Sequence, residues 1–257
     1  MYSFKFPEIH KLFFKQEHEI FISEVSFEDH SRELYQRILQ VFGIIFVLTV
    51  LIFLNINSII ELFLLGTNNI KFFQLSPDEY FLVTIKISFY LGLTGGSPLL
   101  LYQLICFLFP GLNKKEGKII IYFFCSIFLL FSFGLIFAYF ILIPTSLGFF
   151  LNYSKDIIEP LLGFDQYIEF IAIIFFTTGL LFQLPILQTL LVVFDIVKIE
   201  KMKKIWKPII IFSTIISAVF TPSADPFTQL VLASILLILY FVGIVVANFV
   251  KTNFLAI

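Results

Sequence analysis

Isolated acidic side chains at the borders of apolar segments are the residues of this 257-residue chain whose type and spacing could do chemistry. Glu28–Arg32 and Glu33–Arg37 stand four residues apart, the spacing at which side chains on one helix face can pair. Glu116 is the lone acid of a lysine-rich stretch with Lys114, Lys115 and Lys118, just after Phe107-Leu108-Phe109-Pro110-Gly111. Asp225 precedes a proline in Thr221-Pro222-Ser223-Ala224-Asp225-Pro226-Phe227-Thr228-Gln229. The chemistry open to such groups is ion pairing and hydrogen bonding. Each also has a plain structural reading, and on pattern alone it stays open. The first pairs would then be a solvated juxtamembrane turn, Glu116 a compensating charge in a basic loop, and Asp225 an N-cap with proline at N1.

Bond-making chemistry has no matching pattern. His10, His18 and His30 lie in a polar tail without metal-ligand spacing, and neither G-x-S-x-G, a phosphate loop nor a paired intramembrane carboxylate occurs. No enzyme, metal or cofactor is expected. Cys106 and Cys125 sit in apolar runs without C-x-x-C spacing and read as buried small hydrophobes. Within the apolar runs the polar residues are uncharged, as Gln103, Gln183 and Gln188 are, with Lys86 near an end. An ion-coupled transporter usually needs ionisable groups at mid-membrane. A formal net charge of −1 makes a nucleic-acid partner unattractive.

The elements that must position these residues are transmembrane helices. The chain is 59% hydrophobic and 14% charged, with a mean hydropathy of +1.00, against about 25% charged residues in average chains. Six apolar segments run Ile38–Leu54, Tyr80–Phe109, Ile119–Ile143, Tyr167–Phe194, Pro208–Phe220 and Pro226–Val250. A spanning helix needs about 20 residues, so the second and fourth are long enough to protrude or tilt. The fifth is short; it either spans a thinned bilayer with help from Ile205 and Trp206 or is re-entrant. Ser26-x-x-Asp29 has the spacing of a capping box leading into the first span, with Leu34, Ile38 and Val41 as an apolar stripe. Gly92, Gly95, Gly96 and Pro98 interrupt the second segment and Pro185 the fourth, marking kinks or close helix contacts.

Orientation follows from the basic residues. The N-terminal tail holds five, the loop after the second segment three, the loop after the fourth five, and Lys251 follows the sixth, which puts fourteen of seventeen on one side. The expected fold is an all-α integral membrane protein with six transmembrane helices and both termini on the cytoplasmic or stromal side. Its parts are a polar tail (1–27), a six-helix membrane domain (28–250) and a short C-terminal tail (251–257). Glu8, Glu17, Glu19 and Glu24 leave no run long enough for a signal peptide, so no cleavable leader or transit peptide is expected.

In order along the chain, these pieces resemble the TatC family. His30-x-x-Glu33-Leu34-x-x-Arg37-Ile38 is similar to the family's motif before its first helix. Ser97-Pro98-x-x-x-Tyr102-Gln103 with Phe107-x-x-Pro110-x-Leu112-x-x-x-Glu116 resembles its second helix and first cytoplasmic loop. Phe137-Ala138-Tyr139-Phe140 with Pro144 and Gly148-Phe149 resembles the end of its third helix, and Phe182-Gln183-x-Pro185 its fourth. Thr221-Pro222 with Asp225-Pro226-x-Thr228-Gln229 is similar to its last external loop. Two departures stand out. Tyr35 lies where members often have a further Arg, and Gln183 where some have Glu.

The resemblance implies a receptor subunit of the Sec-independent twin-arginine translocase. It would bind signal peptides bearing two consecutive arginines on folded cargo, assemble with TatA-like and TatB-like single-span subunits in membrane lipid, form a homo-oligomer within the receptor complex, and organise proton-motive-force-driven export. Two guanidinium groups near a membrane surface call for carboxylates. Glu33, Arg37, Phe107, Pro110 and Glu116 are the implied signal-peptide site, Gln183 an intramembrane polar residue and Asp225 an external-loop residue. The chain has 37 Phe, but Arg32 and Arg37 are its only arginines. With the spaced form of the last loop, that skew points to a plastid thylakoid protein, with a bacterial or mitochondrial membrane as the other settings. The rival classes are a small polytopic secondary transporter, which would need an ion site and usually an internal repeat, and a purely structural membrane subunit.

Overall fold

The computed structural model describes residues 27–64, 72–74, 76–108, 117–154, 162–221 and 226–254. Two compact units are present, residues 1–39 and residues 40–257. The described part of the first is the head of helix α1 (Phe27–Leu54). The second holds the rest of α1, α2 (Ile56–Leu64), strand β1 (Phe72–Phe73), α3 (Glu79–Leu108) and α4 (Gly117–Phe137). A π-helical turn, Ala138–Leu142, leads into α5 (Ile143–Ser154); strand β2 (Leu162–Gly163) and α6 (Phe164–Leu181) follow. The chain closes with α7 (Leu184–Val193), α8 (Ile199–Lys204), α9 (Trp206–Phe220) and α10 (Pro226–Phe254).

Among the described residues, five helical stretches are long and apolar enough to cross a membrane: Ser31–Leu54, Glu79–Phe107, Tyr122–Tyr153, Phe164–Val193 and Pro226–Thr252. The fifth apolar segment is also helical, but Trp206–Phe220 has only 15 residues. At about 1.5 Å per residue it is roughly 22 Å long, short of a hydrocarbon core of about 30 Å.

Lipid tails are as apolar as leucine, so helices in a membrane are held by close packing and hydrogen bonds rather than by the hydrophobic effect. Glycines mark where the backbones meet. A Cβ on Gly96 would fall on the Ile45 side chain, and one on Gly92 on Thr49, which sets α3 against α1. Phe182 lies over Gly134 and Phe131 over Gly179, locking α4 onto α6. Gly243 on α10 receives Gln188 and the Pro185 backbone of α7. Ile87, Ile168, Ile171, Leu142 and Leu232 fill the main core.

The prolines act differently from one another. Pro98 does not interrupt the second segment; it lies inside a continuous α3. Its missing N–H would have served the Thr94 carbonyl, and the Ser97 hydroxyl donates to that oxygen instead at 2.8 Å. Pro144 does not end the third segment. A π turn, in which Ile143 N–H reaches Ala138 O, lies immediately before it, and the helix runs on to Ser154. Pro185 does mark a break: Phe182 and Gln183 form a turn between α6 and α7, bonded back to Thr178 O and Leu180 O at 3.0 Å each. Cys125 is exposed and Cys106 half-buried, so neither is the core residue expected. The outward face of a membrane helix is as apolar as its inward face.

Candidate functional site

The head of α1 carries the first carboxylate. Arg37 Nε and Nη2 donate to Glu33 Oε1 at 3.0 and 2.6 Å, so the expected pair forms one turn apart on the helix. Side chains are described from Ser31 onward, which leaves Glu28 of the other pair outside.

Phe107 lies half-buried one residue before the end of α3. The hairpin beneath it is packed by Leu101, Ile105, Phe123 and Ile127, with Tyr102 edge-on to Phe124 at 4.9 Å. Pro110 and Glu116, in the loop that follows, lie outside the described residues, as does Asp225; helix α10 is described from Pro226. Glu33 and Arg37 are therefore brought together, within the first unit, and Phe107 and Gln183 belong to the second.

Gln183 sits at the break between α6 and α7, 3% exposed. Its Nε2 donates to the Ile127 carbonyl of α4 at 3.2 Å, while its buried Oε1 has no hydrogen-bond partner among the described residues. Its backbone carbonyl accepts from Ile186 and Leu187 at 3.1 Å each, which starts α7. The residue thus ties the joint to α4.

At the end opposite the lysine-rich loops, the structure engages acidic side chains that sequence reasoning missed. Glu79 is 7% exposed; its Oε2 accepts the Ser76 N–H and its Oε1 the Asp165 N–H, both at 3.3 Å, joining the starts of α3 and α6. The signal was available: Ser76-x-x-Glu79 has the spacing of a capping box. Glu169 lies five residues into α6 and pairs with Lys86 at 3.2 Å, so the fourth apolar segment is not free of charge. At the basic end, Lys251 donates to Asp195 at 2.7 Å; this hydrogen bond, and then the lysine's charge, hold the Asp195 carboxyl below its usual range.

No cluster of three metal-ligating side chains occurs among the described residues. The arrangement can receive cations and hydrogen-bond partners. A model of the family described as Sec-independent protein translocase protein (TatC) matches residues 29–234. The chain belongs to the TatC family. It is 50% identical over 228 residues to the "Uncharacterized tatC-like protein ycf43" of Trieres chinensis, covering 89% of this chain and 87% of that one. It is 40% identical over 221 residues to the "Sec-independent protein translocase protein TatC" of Synechocystis sp., covering 86% of this chain and 87% of its relative. Over 177 residues it is 42% identical to the chloroplastic TATC of Pisum sativum, covering 69% of this chain and half of the pea protein. A solved structure described as twin arginine translocase receptor TatC in DDM superposes with a TM-score of 0.75 and 29% identity, over 85% of this chain and 99% of that one. This TatC-family chain is thus a multi-pass membrane component of the Tat protein-transport system, with relatives that place it in a plastid or thylakoid membrane.

Proposed function

We propose that this chain is the receptor subunit of the translocase, binding signal peptides with paired arginines at its basic face and organising proton-motive-force-driven export of the folded cargo. The likeness over 85% of the chain to a twin-arginine translocase receptor carries the reading. In it, TatA-like and TatB-like single-span subunits and further copies of the chain assemble around the receptor within membrane lipid. Glu33 and Glu116 receive the two guanidinium groups, Phe107 and Pro110 offer apolar contacts to the signal peptide, and Arg37 works through Glu33. Gln183 serves as a hydrogen-bonding group within the membrane, and Asp225 acts in assembly or transport on the far side.

At an effective dielectric of about 20, a charge pair 4 Å apart is worth about 4 kcal/mol before desolvation. The net value is about 1–3 kcal/mol for each charge-assisted contact. Glu33→Gln and Glu116→Gln, first shown to insert and assemble like the parent, are therefore expected to weaken a paired-arginine signal peptide by roughly 5- to 150-fold. The loss should be smaller for a paired-lysine peptide, because the bidentate fork belongs to arginine. Crosslinking yield and equilibrium binding both measure this. Assembled variants that bind like the parent would remove these two residues from the site.

A further inference from the structure

We propose that Arg37 is a resident stand-in for a cargo arginine, and that it sets the threshold separating paired-arginine peptides from peptides with weaker cations. The inference rests on the receptor reading of Glu33. Arg37 Nε and Nη2 converge on one oxygen, Glu33 Oε1, at 3.0 and 2.6 Å. Glu33 Oε2 accepts no hydrogen bond from the described side chains of the helix head. A carboxylate has about four acceptor sites, and among the described side chains only one of its two oxygens is engaged. The Arg37 and Glu33 side chains are 26% and 37% exposed, which leaves both within reach of an incoming peptide.

The group assigned to cargo thus already holds a guanidinium. Exchanging one guanidinium for another replaces a planar fork by the same fork, and the contact is conserved. An incoming ammonium is a point charge without that fork, so it cannot replace Arg37 without loss. A weak cation is then left with Oε2 alone, beside the positive charge of Arg37. Specificity of this kind comes from a penalty on the wrong ligand rather than from a new contact to the right one.

The test uses the purified full-length protein and two fluorescent synthetic signal peptides that differ only in an Arg-Arg or Lys-Lys pair. Arg37→Gln is expected to tighten the lysine peptide by about five-fold, which corresponds to about 1 kcal/mol, the upper end for an exposed pair. The arginine peptide should tighten by less than about two-fold, so the arginine-to-lysine preference falls. Arg37→Lys, which keeps the charge but not the fork, should lie between parent and Arg37→Gln, and it supplies the same ratio if the glutamine variant does not assemble. In a Glu33→Gln background, removing Arg37 should leave the ratio unchanged. An unaltered preference in both Arg37 variants, or weaker binding of both peptides, overturns the stand-in role alone, provided that Glu33→Gln weakens binding. If Glu33→Gln binds both peptides like the parent, the receptor role of Glu33 and this proposal fall together.

Discussion

The two ends of the helices in the second unit are held by different means. At the end away from the lysine-rich loops, polar groups reach across long stretches of chain. Glu79 holds the Asp165 N–H, Lys86 pairs with Glu169, and Tyr80 donates to Asn57 at 2.9 Å. Tyr167 and Tyr139 donate to Phe63 O and Leu62 O at 2.9 and 3.2 Å, satisfying carbonyls left over at the end of α2. Strands β1 and β2 add a parallel pair, Phe72 with Leu162 and Phe73 with Gly163. At the basic end, cross-links among the described residues include Tyr240 to Met202 O at 2.8 Å and Lys251 to Asp195. Among the described residues, the long-range polar contacts gather at the end away from the lysine-rich loops.

Breaking these contacts should cost most. Glu79→Ala takes the acceptor from two part-buried N–H donors, so a loss of about 2–4 kcal/mol is expected. Thermal unfolding in detergent should show it as a drop of about 5–10 °C. An unchanged midpoint would mean that the carboxylate contributes little and the contrast between the ends is false.

Gly96→Leu comes next. It forces a side chain into the space of Ile45 and should cost about 1–3 kcal/mol through overpacking. Gly43, where a Cβ meets nothing within 4 Å, should accept leucine almost silently. Equal effects at the two positions would refute the packing of α3 on α1.

The smallest effect belongs to the basic end. Since Asp195 is depressed below 3.8, its contribution to docking the end of α10 is fully present above that value and is lost as pH falls through the lower folded pKa. Spin labels at Ile196 and Thr252 should give a narrow distance distribution from pH 6 to 8 that broadens only in that acid window. Asp195→Asn should broaden it at every pH, while the unfolding midpoint barely moves. A distribution indifferent to both would mean that the ion pair holds nothing.

Much of the fold was legible because lengths and punctuation survive in any solvent. All six apolar segments are helical, though the first helix starts at Phe27, the third runs on to Ser154 and the fourth is split at Phe182–Gln183. What could not be read was which face of each helix points inward, since both faces of a membrane helix are apolar; Cys125 looked like core and faces out. Prolines misled where a neighbour satisfies the freed carbonyl, as Ser97 does beside Pro98. Glu79 and Glu169 escaped notice because Asp165 and Lys86 are more than 80 residues from them in sequence. Within the candidate site, the Glu33–Arg37 pairing was legible from helical spacing. The convergence of both donors on a single oxygen was not, because it depends on side-chain rotamers.

The π turn at Ala138–Leu142 acts as a phase shifter. Each residue of an α-helix advances its face by about 100°, and one extra residue per turn resets the rotation of everything downstream. That offset lets α5 aim the Phe149 ring at Phe227 on α10, 6.1 Å away and within 4° of parallel. Deleting a single residue there would leave α5 helical and equally apolar, yet swing Phe149 about a quarter-turn from its partner. Homologues that differ by one residue in this stretch would carry a differently addressed surface on an otherwise identical helix.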